Sequence, residues 1–279
     1  MNIKRLFQCS LFIVAVSLAA FSQAVRTTTK TDKFDFGSGG TVTVTGAPNG
    51  SVKIVGWHKN EVEVVATIAI EAANDADFAK LSGVTGFIAE ESTIRAAIGS
   101  IGPHNKFGLK KVPKDFPRTL LATPFRIDYE IRVPRYSDLE IDGGKGDLSI
   151  TGVEGSMKVN FIETKGYVEI VGGTTNLTVA KGALDVAFGV RGWRGRSATV
   201  GVGSGELNVR LPSNMSAEID ATILKTGAIT NTLADLKPRD RKVAFTDKSI
   251  MAKAGVGGSP LKFTVGDGNM KLERLVLPL

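Results

Sequence analysis

Histidine and cysteine carry most acid–base, nucleophilic and metal chemistry near neutral pH, yet this chain of 279 residues holds only His58, His104 and Cys9. A zinc centre or a histidine-based dyad needs ligands that converge from several elements. His58 follows Trp57 in a turn-like stretch and His104 sits in a basic segment, so both read as exposed bystanders. The carboxylates with the strongest claim are Asp147, Glu169, Asp185 and Glu206, at outward positions of strand-like runs. A β-helix lyase or glycoside hydrolase needs clustered acids, as calcium ligands or as an acid–base pair. These four are spread one per repeat, which is the pattern of a wet outer face. No catalytic residue, metal site or cofactor is expected.

The glycine clusters do not build a phosphate site. A dinucleotide loop needs a helix after its glycines, so that the helix N-terminus can hold phosphate. Gly201, Gly203 and Gly205 are followed by Glu206-Leu207-Asn208-Val209, which continues as a strand. Gly143, Gly144 and Gly146 resemble the start of a calcium-binding nonapeptide, but Leu148 stands at the aspartate position. The candidate ligand-binding residues are instead Arg191, Trp193, Arg194 and Arg196 in the run RGWRGR. Guanidinium forks grip carboxylate, sulfate or phosphate, and an indole face stacks on sugars or cations. The plainer alternative has Trp193 capping the core while the arginines face water.

The elements that must position these residues are short strands. Three octets share glycine, alternating apolar positions and a second glycine: residues 50–57 (GSVKIVGW), 146–153 (GDLSITGV) and 166–173 (GYVEIVGG). Period-two alternation puts Val52 and Ile54, Leu148 and Ile150, and Val168 and Ile170 on one face. Weaker copies begin at Gly182, Gly205, Gly227 and Gly268. From Gly146 through Gly166, Gly182 and Gly205 to Gly227 the spacings are 20, 16, 23 and 22 residues. A period near twenty predicts an all-β, right-handed parallel β-helix, or β-solenoid, because no single coil can bury its apolar face alone. Leu148, Val168, Leu184 and Leu207 should then align as an internal ladder. An antiparallel sandwich is the competing arrangement, but a glycine before each strand favours coils that all turn the same corner.

The N-terminal part is less regular, with residues 72–124 as an irregular insertion. Asn74 is expected to cap a short helix reaching Leu81, with Gly83 past its end. Residues 84–89 and 93–98 predict a hairpin. A basic loop follows over 102–124, with Lys106, Lys110, Lys111, Lys114 and Arg118. Alternation resumes over 125–134 (FRIDYEIRVP), and a second basic loop spans 236–242 with Lys237, Arg239, Arg241 and Lys242.

Residues 1–24 read as an export signal. Lys4 and Arg5 open it, residues 11–20 form the apolar core, and Ser22-Gln23-Ala24 offers small residues where a signal peptidase reads. The apolar run falls short of the ~20 residues that span a bilayer. Cleavage after Ala24 is expected to leave residues 25–279 as a single exported domain without a membrane span, in the periplasm, on the outer surface or outside the cell. That mature chain has no cysteine, which excludes disulfides and thiol chemistry, and its formal charge falls from +7 to +5 with Lys4 and Arg5. A mild positive excess favours anionic partners such as acidic glycans; nucleic acid is not expected. An outer-membrane barrel needs strands of ~9–11 residues and aromatic girdles, whereas the chain has 3 Tyr and 2 Trp.

Residues 127–134 (IDYEIRVP), Leu139-Glu140-Ile141, the glycine-spaced octets, residues 205–212 (GELNVRLP) and the opening over 50–64 together carry a resemblance. Across roughly residues 34–275 the chain resembles the bacterial putative-adhesin family of unknown function, of the head-GIN-like auto-transporter adhesin type. The resemblance implies a parallel β-helix-like fold in an exported protein and brings no catalytic residues. The expected function is a non-catalytic, adhesin-like repeat protein binding an envelope or surface glycan or protein. The alternatives are a carbohydrate-active β-helix enzyme and a periplasmic partner of a membrane signalling protein.

Overall fold

A computed structural model describes residues 24–104, 112–189, 193–240 and 242–276. The export signal, apart from Ala24, lies outside the described residues, as do Lys106, Lys110, Lys111, Arg191 and Arg241. Strand accounts for 64% and helix for 5%, so the chain is all-β. Seventeen strands among the described residues join in one sheet that does not close on itself.

The N-terminal strands are β1 (Ala24–Asp35), β2 (Thr41–Thr45), β3 (Val52–Trp57) and β4 (Glu61–Ala72). Helix α1 (Asp75–Val84) follows, then β5 (Gly86–Ser92), β6 (Arg95–Ile101) and β7 (Phe125–Pro134). The repeats occupy β8 (Asp138–Lys145), β9 (Leu148–Thr151), β10 (Met157–Ile170), β11 (Gly172–Phe188) and β12 (Arg194–Leu211). The chain ends through β13 (Ala217–Ile223), β14 (Ile229–Asn231), β15 (Lys237–Pro238), β16 (Ser249–Ala254) and β17 (Ser259–Arg274).

Two parallel rows run through the repeats. The first halves of β10, β11, β12 and β17 pair in register with one another, continuing through β8 and β2 at one end and β13 at the other. Their second halves pair likewise, continuing through β9 and β3 at one end and β14 at the other. Between the halves the ladder skips Ile162, Ala180, Gly203 and Gly266, where each strand passes from one row to the next. Just beyond this corner, Gly182, Gly205 and Gly268 stack in one column. Inward side chains from both rows meet in a single apolar cluster that includes Ile150, Val168, Val186, Val209 and Leu272.

The register corrects the expected ladder. Gly166, not Val168, pairs with Leu148 and with Leu184, so the row reads Leu148, Gly166, Leu184, Leu207, Met270. Val168 lies one position deeper, between Ile150 and Val186. The cause is at the corner: Thr164 pairs with Gly182 and takes the place that glycine takes elsewhere. A methyl group at Gly166 would come within 3.0 Å of Leu184 Cδ1 and 3.4 Å of Leu148 Cβ, so the neighbouring leucines fill the space its side chain vacates.

The stack does not follow chain order. The last strand, β17, lies between β12 and the β13–β14 layer, pairing in parallel with both. Nor is every pairing parallel: β1–β4, β4–β7, β5–β6, β13–β16 and β15–β16 are antiparallel and sit towards the two ends. The expected helix and hairpin are present. Asn74 caps α1 by accepting from the Asp77 backbone N–H at 2.8 Å, and the helix runs past Gly83 to Val84. β5 and β6 pair from Ser92–Arg95 to Gly86–Ile101.

Candidate functional site

Outward positions of the second row form an open groove of about 1130 Å³ across β9, β10, β11, β12, β17 and β14. Strand alternation places these side chains: Leu184, Val186, Leu207 and Val209 turn inward, so Asp185, Asn208 and Arg210 turn out. Parallel register then sets one residue from each layer side by side, in the order Ser149, Tyr167, Asp185, Asn208, Lys271 and Thr230.

The centre of this row is a connected polar network. Asn208 Nδ2 donates to Asp185 Oδ1 at 2.7 Å and to Glu273 Oε1 at 3.0 Å. Arg210 reaches the same two acids, with Nε 3.1 Å from Glu273 and a terminal nitrogen 3.3 Å from Asp185. Lys271 closes the far side, 2.5 Å from Glu273 Oε2. The hydrogen bonds from Lys271 and Asn208 outweigh partial desolvation and hold the Glu273 carboxyl down at about 2. Tyr167 borders the network. Burial raises its phenol above the usual range, the Glu169 and Asp185 charges add to the rise, and Arg210 opposes it.

The depressed Glu273 carboxyl gives a signed pH dependence. Its folded value lies below its ordinary value of 4.5, so the stabilisation is complete above that value and is lost as pH falls from 4.5 towards 2. Glu273→Gln is expected to flatten the stability–pH curve over that window and to leave the slope near pH 7 unchanged, as measured by denaturant titration at a series of pH values.

The four expected carboxylates do not share one environment. Asp147 and Glu206 are exposed at the groove margin, and Asp185 belongs to the network. Glu169 is not outward in the expected sense: it is 5% exposed, and its Oε2 accepts from the Gly152 backbone N–H at 2.9 Å. Its Oε1 is buried with no hydrogen-bond partner among the described residues. No group of three or more His, Cys, Asp or Glu among the described residues could hold a metal ion.

The expected arginine–tryptophan loop is drawn against the core. Trp193 meets Phe188 edge-on, with ring centroids 5.1 Å apart, and covers Gly195, where a Cβ would fall 2.1 Å from the indole. The indole is therefore a half-buried lid on the apolar interior and not a free stacking platform. Arg194 is 71% exposed and lies 3.8 Å from Glu154, which also pairs with Arg135. Arg196 is exposed and makes no ion pair among the described residues, and Arg191 lies outside them. In the second basic loop, Arg239 pairs with Asp220 and lies 3.9 Å from Glu218. His104 is also tied down, with Nδ1 3.1 Å from the Leu121 carbonyl and its ring against Phe125. His58 is exposed.

No family model and no curated protein matches the chain. Solved structures do resemble it. A putative cell adhesion protein from Clostridium sporogenes is 12% identical over 90% of this chain and all of its own, with a TM-score of 0.44. Putative adhesins from Bacteroides fragilis and Parabacteroides distasonis are each 10% identical, over 89% and 88% of this chain and 97% of theirs, with TM-scores of 0.26 and 0.21. These neighbours are bacterial and bear adhesin names. Likeness at this level carries no argument about the present chain, whose reading rests on the groove.

Sequence reasoning missed Tyr167, Asn208, Arg210, Lys271 and Glu273. The signal was available in the residue immediately after Leu184 or its equivalent, once the strands are aligned on Leu184, Leu207 and Met270, with Gly166 at the matching place in β10. Alignment on glycine displaced β10 by two residues and hid the row.

Proposed function

We propose that this chain is an exported, non-catalytic, adhesin-like protein whose groove binds an extended envelope or surface glycan. The fold reads as a right-handed β-solenoid, the hand that parallel crossovers almost always take, with residues 25–279 as one unit. The observation that carries the reading is the in-register row of Tyr167, Asp185, Asn208 and Lys271, with Arg210 and Glu273 paired one outward position further along. An aromatic edge beside fixed amide, guanidinium and carboxylate groups offers both a stacking face and paired donors and acceptors for sugar hydroxyls. Layers in such a stack repeat every ~4.8 Å, so a groove over six strands suits a polymer lying across them. Export is supported by the residue pattern of 1–24, and binding without turnover is supported by the way the two converging carboxylates, Asp185 and Glu273, are both taken up by Asn208 and Arg210.

The test is retention of the mature chain on immobilised envelope polysaccharides. Tyr167→Ala and Asn208→Ala should each weaken retention at least tenfold, about 1.4 kcal/mol, while Trp193→Ala and Arg194→Ala leave the affinity within twofold. Loss confined to the Trp193 and Arg194 variants would move the site to that loop and refute the groove.

A further inference from the structure

The stack leaves open backbone edges at its two ends, and they differ in length. At one end the outermost strands are β14 and β15, of three and two residues. At the other, β1 runs for 12 residues and, among the described residues, pairs along one edge only, with β4. Two hydrogen bonds show which residues face the open edge. The Phe36 N–H donates to the Asn60 carbonyl at 2.9 Å, continuing the β1–β4 ladder through the even-numbered residues. The Lys33 N–H turns instead to the carboxylate of Asp32, also at 2.9 Å. Alternation then sends the N–H and C=O groups of Val25, Thr27, Thr29, Thr31 and Lys33 to the open edge. Such a row of backbone groups is a template for a further strand. The strand is held firmly for this role. Arg26 pairs with Asp75 of α1 at 2.9 Å, and Lys30 Nζ meets the Ser82 and Thr85 carbonyls at 3.2 and 2.8 Å.

We propose that two copies of this chain join antiparallel along β1, with the twofold axis at Thr29. The side-chain sequence selects that register. Centred on Thr29, the pairing sets Arg26 opposite Asp32 twice, on one face, and Thr27 opposite Thr31 on the other. Opposite charges and threonine pairs at such positions are favourable, and like charges are not. Centred on Lys30, it would set Lys30 against itself; centred on Thr28, Arg26 against Lys30. Centred on Thr31, it would set Asp32 against Lys30, whose ammonium the two carbonyls already hold. Arg26 bonds Asp75 through Nε and the Ala72 carbonyl through Nη1, which leaves Nη2 for Asp32 of the second copy. Asp32 is exposed and makes no ion pair among the described residues. The interface is isologous and closes at two chains. It stands independently of the glycan reading and adds to it one continuous sheet that carries a groove in each half.

Sedimentation of the exported chain, residues 25–279, across a dilution series should show a monomer–dimer equilibrium. Thr29→Pro removes an N–H that faces the open edge and none that bonds β4. Asp32→Lys, a change at an exposed position, sets like charges opposite each other twice. Each should raise the dimer dissociation constant at least tenfold. Cysteine placement reads the register, because the only native cysteine is Cys9, in the export signal. Across the axis Thr29 forms a hydrogen-bonded pair with its own copy, with Cα atoms about 5.5 Å apart and so within disulfide reach. Thr29→Cys chains should therefore cross-link to dimers under mild oxidation. Thr27→Cys and Thr31→Cys chains should cross-link only when the two are mixed. A monomer at every concentration overturns the proposal. So does a dimer that both Thr29→Pro and Asp32→Lys leave intact, or cross-linking of Thr27→Cys or Thr31→Cys chains alone as readily as Thr29→Cys.

Discussion

Gly205→Ala yields no folded protein at ordinary growth temperatures, or one so weakened that it melts roughly 10–20 °C early. Gly205 sits at φ +135°, where an L side chain is strained, and a Cβ there would lie 1.8 Å from the Gly182 carbonyl oxygen. Backbone strain in such a region costs about 1–3 kcal/mol. The clash cannot be relieved by a rotamer change, because the atom in the way is the backbone of the adjacent layer. Moving Gly182 would in turn press on Thr164, since the corner residues stack through the molecule. The total loss should reach the exceptional class of about 4–5 kcal/mol or more for a single substitution. Gly201→Ala, four residues earlier on the same strand, is the comparison. It has nothing within 4 Å of its added methyl and no positive φ, so the change should be neutral or stabilise by about 0.4–1 kcal/mol through the unfolded chain. Equal effects of the two substitutions, measured by urea titration, would contradict the stacked corner.

The second large effect comes from the inserted C-terminal strand. Phe263 on β17 is fully buried, pairs with Val200 on one side and Ala221 on the other, and meets the Phe188 ring edge-on at 5.8 Å. Truncating such a ring to alanine costs about 3–5 kcal/mol, which for a chain of this size lowers Tm by roughly 10 °C. The neighbouring Lys262→Ala, at an exposed position, should stay within about 0.5 kcal/mol. Because β17 joins β12 to the β13–β14 layer, Phe263→Ala should also raise hydrogen exchange in Ile219 and Ala221. Exchange changes restricted to residues near Phe263 in sequence would argue against the insertion.

Much of the fold was legible because its two periods are local. Alternation over Gly205-Glu206-Leu207-Asn208-Val209 states which side chains face in, and the preceding glycine marks the corner. Asn74 announces α1 by the chemistry of its own side chain. Other features were not local. Thr164 replaces a corner glycine while Gly166 occupies an inward position, so the glycine column misleads at that layer; only the pairing of Gly166 with Leu184 reveals it. The place of β17 beside β12 depends on where residues 213–258 travel, which no period records. The run around Trp193, with Arg191, Arg194 and Arg196, left both a stacking platform and a cap on the core open, and only the contacts with Phe188 and Gly195, remote from the run's own pattern, draw the ring inward. The groove was hidden for a related reason: its residues come from different layers, and Arg210 gains meaning only beside Asp185 and Glu273.

The most direct test of binding without turnover is to incubate the mature chain with a panel of envelope and host polysaccharides and record both the retained fraction and any released oligosaccharides. Retention with no released product, abolished by Tyr167→Ala, is the predicted result. Released oligosaccharides that disappear with Asp185→Asn would contradict it and make the groove an active site.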